Sequence, residues 1–317
     1  MKHNVHPYEP KPKRFIPARL HSLDPLPVLS TVGDVKFDGT FTGLSVEVIN
    51  PEAIRHLSLA GGFGQGTRSR SIPVSVHSRA VETVRERQLE RRREWQKKYG
   101  LDSSLESAKV RVIGEDIEEK LNNGSIFLRD LEESPAKYES DPFPVHENLS
   151  LMFEEAMFLV DKLNCLNVKT LDGQPMSAEQ LLDKFSALKP NFLSSYAAYI
   201  FFKSKNWVIK SGLKFGGDYI LYQKGPQYFH ASFIALIQPY QDGQQFANNG
   251  HYLDNYDFQC FNRIAETTAK NLLVLEVHYP TGVDPTNYRE CMSRLPEFKV
   301  SEIFPRHYNC ANLRSNQ

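Results

Sequence analysis

The stretch WVIKSGLKFGGDYILYQKGPQYFHASFIALI, residues 207–237, decides the fold. WVIK starts as a strand, and KSGLKFGGD supplies the glycines of a turn. DYILYQ and HASFIALIQP alternate or run apolar, as strands do. Downstream, DNYDFQCFNRIAETTAK carries Asp254 as a cap and helical spacing at Phe258, Phe261, Ile264 and Ala265. LLVLEVHY then reads as a buried strand. FKVSEIFPRHY reads as a last strand, with Pro305 marking an edge or a bulge. Strands joined by a crossover helix make this half an α/β layer.

Upstream the pattern turns helical. NLSLMFEEAMFLVDKLN places Leu149, Phe153, Met157, Val160 and Leu163 near one stripe and predicts an amphipathic helix. SAEQLLDKFSAL has a serine cap and reads as a second helix. Pro190 opens a third, with Phe192, Tyr196, Tyr199 and Phe202 spaced for one face. Further back, VKFDGTFTGLSVEVI alternates like strands, and NPEAIRHLSL begins a helix with Asn50 and Pro51.

Charge is segregated between these parts. The 317 residues balance 38 Lys and Arg against 38 Asp and Glu. Residues 79–98 nevertheless carry eight basic and four acidic side chains, with Glu82, Glu86, Glu90 and Glu94 four apart. That spacing predicts a charged helix, either a solvated face or an RNA contact. Residues 102–142 reverse the balance, eleven acids to five bases, and read as a linker. The expected organisation is a flexible tail over 1–35 and an N-terminal segment over 36–78. A charged helix and linker follow over 79–146, then a helical module over 147–205. A sheet-bearing domain over 206–310 and a tail over 311–317 complete it.

Several chemistries find little support. No run approaches the roughly 18 apolar residues of a membrane span, and the N-terminal residues show no secretory h-region. Cys165, Cys260, Cys291 and Cys310 form no CxxC pair, so reduced intracellular thiols are the expectation. GGFGQG at 61–66 lacks the lysine of a phosphate-binding P-loop and follows a helix, so it reads as a flexible turn allowing close approach. Arg68 and Arg70 read as a solvated loop. Glu276 with His278, and His251 with Asp254, fall short of a metal-ligand set, so no metal or other cofactor is expected. A G-x-S-x-G nucleophile elbow is absent.

Within 207–237, Lys210, Lys214 and Lys224 interleave with Tyr219, Tyr222, Tyr228, Phe229 and His230. Cations among rings suit a nucleic-acid surface; on composition alone, rings filling a strand-rich core are the better explanation. The segment resembles the catalytic core of the tRNA-splicing endonuclease family. FEEAMFLVDKLNCL, YAAYIFFKSKNWVIKSGLKFGGDYILYQKGPQYFHAS and RIAETTAKNLLV are similar to three successive family blocks. VKFDG through GGFGQGTRSRS is similar to the N-terminal region of the eukaryotic catalytic member assigned to the 5′ splice site.

The resemblance implies an α/β (α+β) fold, a small helical or mixed N-terminal module before a mixed sheet flanked by helices. It implies Tyr222 as general base, His230 as general acid and Lys270 as electrostatic stabiliser. Their task would be metal-free cleavage of intron-containing pre-tRNA to a 2′,3′-cyclic phosphate and a 5′-hydroxyl. It implies Arg263 and, by ungapped reading, Tyr308 as a clamp on a flipped base. Implied partners are a second catalytic subunit for the 3′ splice site, two structural subunits and, as a further candidate, an RNA kinase. The basic tail leans toward the nucleus, with the cytosolic face of mitochondria as the alternative. A scaffold subunit binding RNA without cutting it, and a metal-dependent nuclease, are the competing readings.

Overall fold

The computed structural model describes residues 11–12, 36–69, 73, 125–128, 137–140, 147–245 and 255–305. Its elements begin with β1 (Phe37–Phe41), β2 (Val46–Val48), α1 (Pro51–Ala60) and β3 (Gln65–Gly66). Then come β4 (Ser125–Leu128), β5 (Lys137–Ser140), β6 (Leu149–Leu151) and α2 (Phe153–Met157), which runs into a π turn over Phe158–Lys162. β7 (Leu166–Lys169), β8 (Pro175–Met176), α3 (Ala178–Leu188) and α4 (Phe192–Ser204) follow. The last group is β9 (Val208–Ser211), β10 (Tyr219–Tyr222), β11 (Phe233–Gln241), β12 (Gln244–Gln245), α5 (Asn255–Thr267), β13 (Asn271–His278), α6 (Tyr288–Ser293) and β14 (Lys299–Ile303). The chain divides into two compact units, Met1–Gly64 with Ser150–Gln317, and Gln65–Leu149.

Caps start the helices where the sequence placed them. Asn50 accepts the N–H groups of Glu52 and Ala53 with its side-chain oxygen. Ser177 accepts from the Gln180 N–H while Gln180 returns a bond to the Ser177 N–H, a capping box. In the larger unit, β2-β1-β7-β8 lie side by side in that order, with β1 parallel to β7 from Phe37 opposite Leu166. A second sheet runs β14-β13-β11-β10-β9. Only its β11–β13 pair is parallel, and α5 lies between those two strands in the chain.

Three expectations change here. NLSLMFEEAMFLVDKLN is not helical from its start: Leu149 and Leu151 are buried with Ser150 between them, a period of two, and the helix begins at Phe153. The 147–205 module is mixed, not helical, since β7 and β8 run through it. β7 pairs with β1, more than a hundred residues upstream, a partner that local periodicity cannot register. Helix α4 buries nearly every side chain from Phe192 to Tyr199, together with Phe202 and Lys203, and so is central instead of one-faced. Within the 102–142 stretch, β4 pairs antiparallel with β5. The charged helix of 79–98, the Asp254 cap, the 311–317 tail and the 1–35 tail apart from Lys11 and Pro12 lie outside the described residues.

A run of rings joins the pieces of the larger unit. Phe41 stands 5.9 Å from Phe185, which stacks on Phe153 at 4.5 Å and meets Phe192 edge-on at 5.5 Å. Such pairs contribute about 0.5–1.5 kcal/mol each beyond their buried area. The Tyr219 hydroxyl donates to the Ser195 carbonyl at 2.9 Å and fastens β10 to α4.

The glycine loop is held, not loose. Gly62 and Gly64 adopt φ of 64° and 65°, and a Cβ on Gly62 would stand 2.8 Å from Val208 Cγ1. Lys210 Nζ donates to the carbonyls of Gly62 and Gly64, and Lys203 Nζ to that of Gly61 at 3.1 Å. Glu155 accepts the Gly64 N–H at 2.9 Å and faces Lys210 at 3.7 Å. Lys203 also lies 4.1 Å above the Phe63 ring. In the smaller unit, Glu147 takes the N–H groups of Arg68 and Ser69 in a similar way.

Gly62→Ala should lower unfolding stability by about 1–3 kcal/mol, the usual cost of a strained left-handed residue, measured by urea titration. Burial pushes the Lys203 ammonium down to about 7, with Glu155 opposing and Lys210 adding. Unfolded, a lysine titrates near about 10.4. Between those values the unfolded chain holds a proton that the folded chain has lost, so stability rises with pH across the window. Urea midpoints of wild type and Lys203→Met, compared from below that window to within it, should show the rise only in wild type.

Candidate active site

Strand register brings the three residues of interest to one end of the second sheet. Leu221 pairs with Phe233 across β10 and β11, and Phe233 pairs with Asn271 across β11 and β13. Tyr222 lies one residue beyond that row, and Lys270 one residue before it. The Ser232 N–H donates to the Leu221 carbonyl at 2.8 Å, and the Asn271 N–H to the Ser232 carbonyl at 3.0 Å, so the ladder extends past the strand ends. His230 sits two residues before Ser232, on the loop that joins β10 to β11.

Each side chain has a distinct environment. Tyr222 is half-buried against the cluster of Ile220, Ala231, Ile234, Leu236, Ala265 and Leu272, and burial pushes its phenol above the ordinary range. His230 is exposed, and its peptide N–H donates to the Lys11 carbonyl at 3.1 Å. Lys270 is partly buried; its Nζ donates to the Thr268 carbonyl at 2.9 Å and lies 4.4 Å over the Phe215 ring. Burial, and then the nearby Lys214 charge, hold its ammonium below the ordinary lysine range. The backbone aims it through a local device. The Lys270 N–H closes onto the Ala265 carbonyl at 2.8 Å, and Ala269 takes φ of 52°, an uncommon conformation for a residue other than glycine.

Other candidates fall elsewhere. Arg263 is exposed on α5. It does not share a helical face with Lys270, because α5 ends at Thr267 and Ala269 turns the chain left-handed. Tyr308 lies outside the described residues. Of the interleaved cations and rings, Tyr219 and Tyr228 are buried and Lys210 is spent on the glycine loop, whereas Lys214 and Lys224 are exposed. Asp218 accepts the Ile237 N–H at 2.7 Å and so serves the sheet. Cys165 and Cys291 are buried and Cys260 is exposed, all as free thiols. Among the described residues no group of three or more His, Cys, Asp or Glu could hold a metal ion. No helix among them is long and apolar enough to cross a membrane.

Sequence reasoning missed Phe215, which sits under the Lys270 ammonium, and named Lys214 only as one of the interleaved cations, not as the charge that repels Lys270. Both belong to the KSGLKFGGD stretch, whose glycines signalled a turn and drew attention from Phe215. Lys11 was likewise read only as part of a tail. In an NMR titration of ¹³C-methylated lysines, Lys214→Ala should raise the Lys270 midpoint. The midpoint should stay below the ordinary value, because burial is the larger cause.

Comparison with known proteins gives the arrangement a context. The tRNA intron endonuclease catalytic C-terminal domain matches residues 192–283, and the N-terminal domain of the same enzymes matches residues 117–182. The tRNA-splicing endonuclease subunit Sen2 of Gallus gallus is 34% identical over 179 residues, which is 56% of this chain and 38% of that protein. The probable subunit sen2 of Schizosaccharomyces pombe is 26% identical, over 86% of this chain and 83% of its own length. Subunit Sen2-1 of Arabidopsis thaliana is 32% identical, over 51% of this chain and 64% of its own. The match thus spans about two fifths of the length of the Gallus gallus relative.

Proposed function

Because this chain belongs to the tRNA intron endonuclease family, we propose that it is a catalytic subunit that cuts intron-containing pre-tRNA at the 5′ splice site. The observation that carries this reading is the register that sets Tyr222, the His230 loop and Lys270 at one end of one sheet. RNA supplies its own nucleophile, the 2′-hydroxyl beside the scissile phosphate. The Tyr222 phenolate takes the 2′ proton, the 2′-oxygen attacks phosphorus, and His230 protonates the leaving 5′-oxygen. A 2′,3′-cyclic phosphate and a 5′-hydroxyl remain.

The burial that raises the Tyr222 phenol leaves it protonated at neutral pH, so the base needs a cation nearby to favour phenolate. Lys270 supplies that charge, and it also meets the negative charge that grows on the phosphorane oxygens. Partial desolvation of Lys270 strengthens its attraction for phosphate, since fewer waters screen it. Exposure leaves His230 open to the substrate.

The same reading assigns partners. A second catalytic subunit makes the 3′ cut, and two structural subunits complete a four-chain assembly, with an RNA kinase as a further associate. Arg263, exposed on α5, is available to clamp a flipped intron base. The assembly works in the nucleus, with the cytosolic face of mitochondria as the alternative.

The test is single-turnover cleavage by the reconstituted complex in EDTA, with oxygen and with bridging 5′-phosphorothiolate at the scissile bond. On the oxygen substrate, Tyr222→Phe and His230→Ala should each slow the 5′ cut by about 10²–10⁴-fold and spare the 3′ cut. A thiolate leaves without protonation, so the sulfur substrate should restore His230→Ala and not Tyr222→Phe. Wild-type 5′ rates in both variants would make this chain a scaffold, and loss of the wild-type cut in EDTA would point to a metal-dependent nuclease.

A further inference from the structure

The basic N-terminal stretch touches the acid-bearing loop. Pro12 forms an isolated antiparallel bridge with Phe229, and the Lys11 carbonyl accepts the His230 N–H at 3.1 Å. The loop's neighbouring anchors lie on either side of His230. Tyr228 and Phe229 donate to the Gly225 carbonyl at 3.2 and 3.1 Å, and Ser232 donates to Leu221. The Lys11 bond therefore holds the peptide of the general acid itself, between a turn and the end of the ladder.

The local sequence suits this contact. Lys11 stands between Pro10 and Pro12. A residue before proline is steered away from helix into extended backbone, which turns its carbonyl sideways toward a neighbouring strand. The hydrogen bond at this bridge runs from His230 to the Lys11 carbonyl and does not call on the Pro12 nitrogen, so its missing N–H costs nothing there. A Pro-Lys-Pro segment is already stiff and loses little entropy on docking.

We propose that Lys11 and Pro12 form a positioning strap for the general acid, the Lys11 carbonyl setting the backbone of His230 and through it the reach of the imidazole. The strap rests on the functional reading above. It acts through His230 and does not itself touch the reacting atoms. A strap of this kind governs the chemical step more than substrate affinity, because a displaced acid weakens proton delivery while the RNA-binding surface stays in place.

The experiment uses the reconstituted complex with wild type, a deletion of residues 1–14, Pro12→Gly and Pro12→Val. Hydrogen exchange is read in peptides spanning 225–232 without RNA, and single-turnover cleavage is read across pre-tRNA concentrations. The deletion should remove protection from that loop and lower the saturating 5′ rate about 10–100-fold. The half-saturating pre-tRNA concentration should move less than twofold, and the 3′ rate should hold. Pro12→Gly should reproduce part of the loss, and Pro12→Val, which keeps an extended backbone, should recover most of it.

Unchanged exchange in the deletion overturns the proposal, as does lost protection with an unchanged saturating rate. A shift in half-saturation alone also overturns it, making the segment an RNA-binding arm. Should the deleted chain fail to assemble, the two Pro12 variants decide by the same criteria. A wild-type complex that leaves pre-tRNA intact sinks the functional reading instead, and the RNA-free exchange data tell that failure apart.

Discussion

The carboxylate of Glu155 is the point on which the larger unit depends. It takes the N–H groups of Gly64 and Met152, each at 2.9 Å, and faces the Lys210 ammonium at 3.7 Å. Three pieces far apart in sequence meet there: the glycine loop, the start of α2 and strand β9. An ion pair of this burial gains little over apolar packing, but stripping one partner costs about 3–5 kcal/mol, since a lone charge stays behind. The arrangement therefore specifies geometry more than it adds stability. β9 then carries the consequence to the site, because Val208 pairs with Tyr222 across the sheet.

At the site itself the chain uses burial unevenly. Tyr222 is partly withdrawn from water against the apolar cluster and Lys270 against the Phe215 ring, and His230 is left outside. Burial makes the charged form costly for both: it raises the phenol and lowers the ammonium. Lys214 adds to the effect of burial on Lys270 by repelling its ammonium.

Much of this was legible in the residues. Strands β9, β10, β11 and β13 declared themselves by alternation or by apolar runs, and Asn50 and Ser177 by their caps. Resemblance to a family, not periodicity, supplied the roles of Tyr222, His230 and Lys270. What escaped depends on distant partners. β7 exists because β1 lies beside it, and Leu149–Leu151 is a strand within what looked like a helix. Lys210, in sequence only one of three cations set among rings, spends its ammonium on glycine carbonyls. The glycine loop looked loose because sequence displays the absence of side chains and not the lysines that grip the backbone. Lys11 was invisible for a similar reason, as its carbonyl makes the contact and every residue has one.

Parallel pairing of β11 with β13 has a consequence in time. Two parallel neighbours cannot be joined by a hairpin, so the chain must complete α5 before β13 can dock. During synthesis Tyr222 and His230 emerge first, and Lys270 arrives only after that helix. A chain still on the ribosome, or one truncated within α5, thus holds Tyr222 and His230 without Lys270. That end of the sheet is therefore complete only once α5 and β13 are in place.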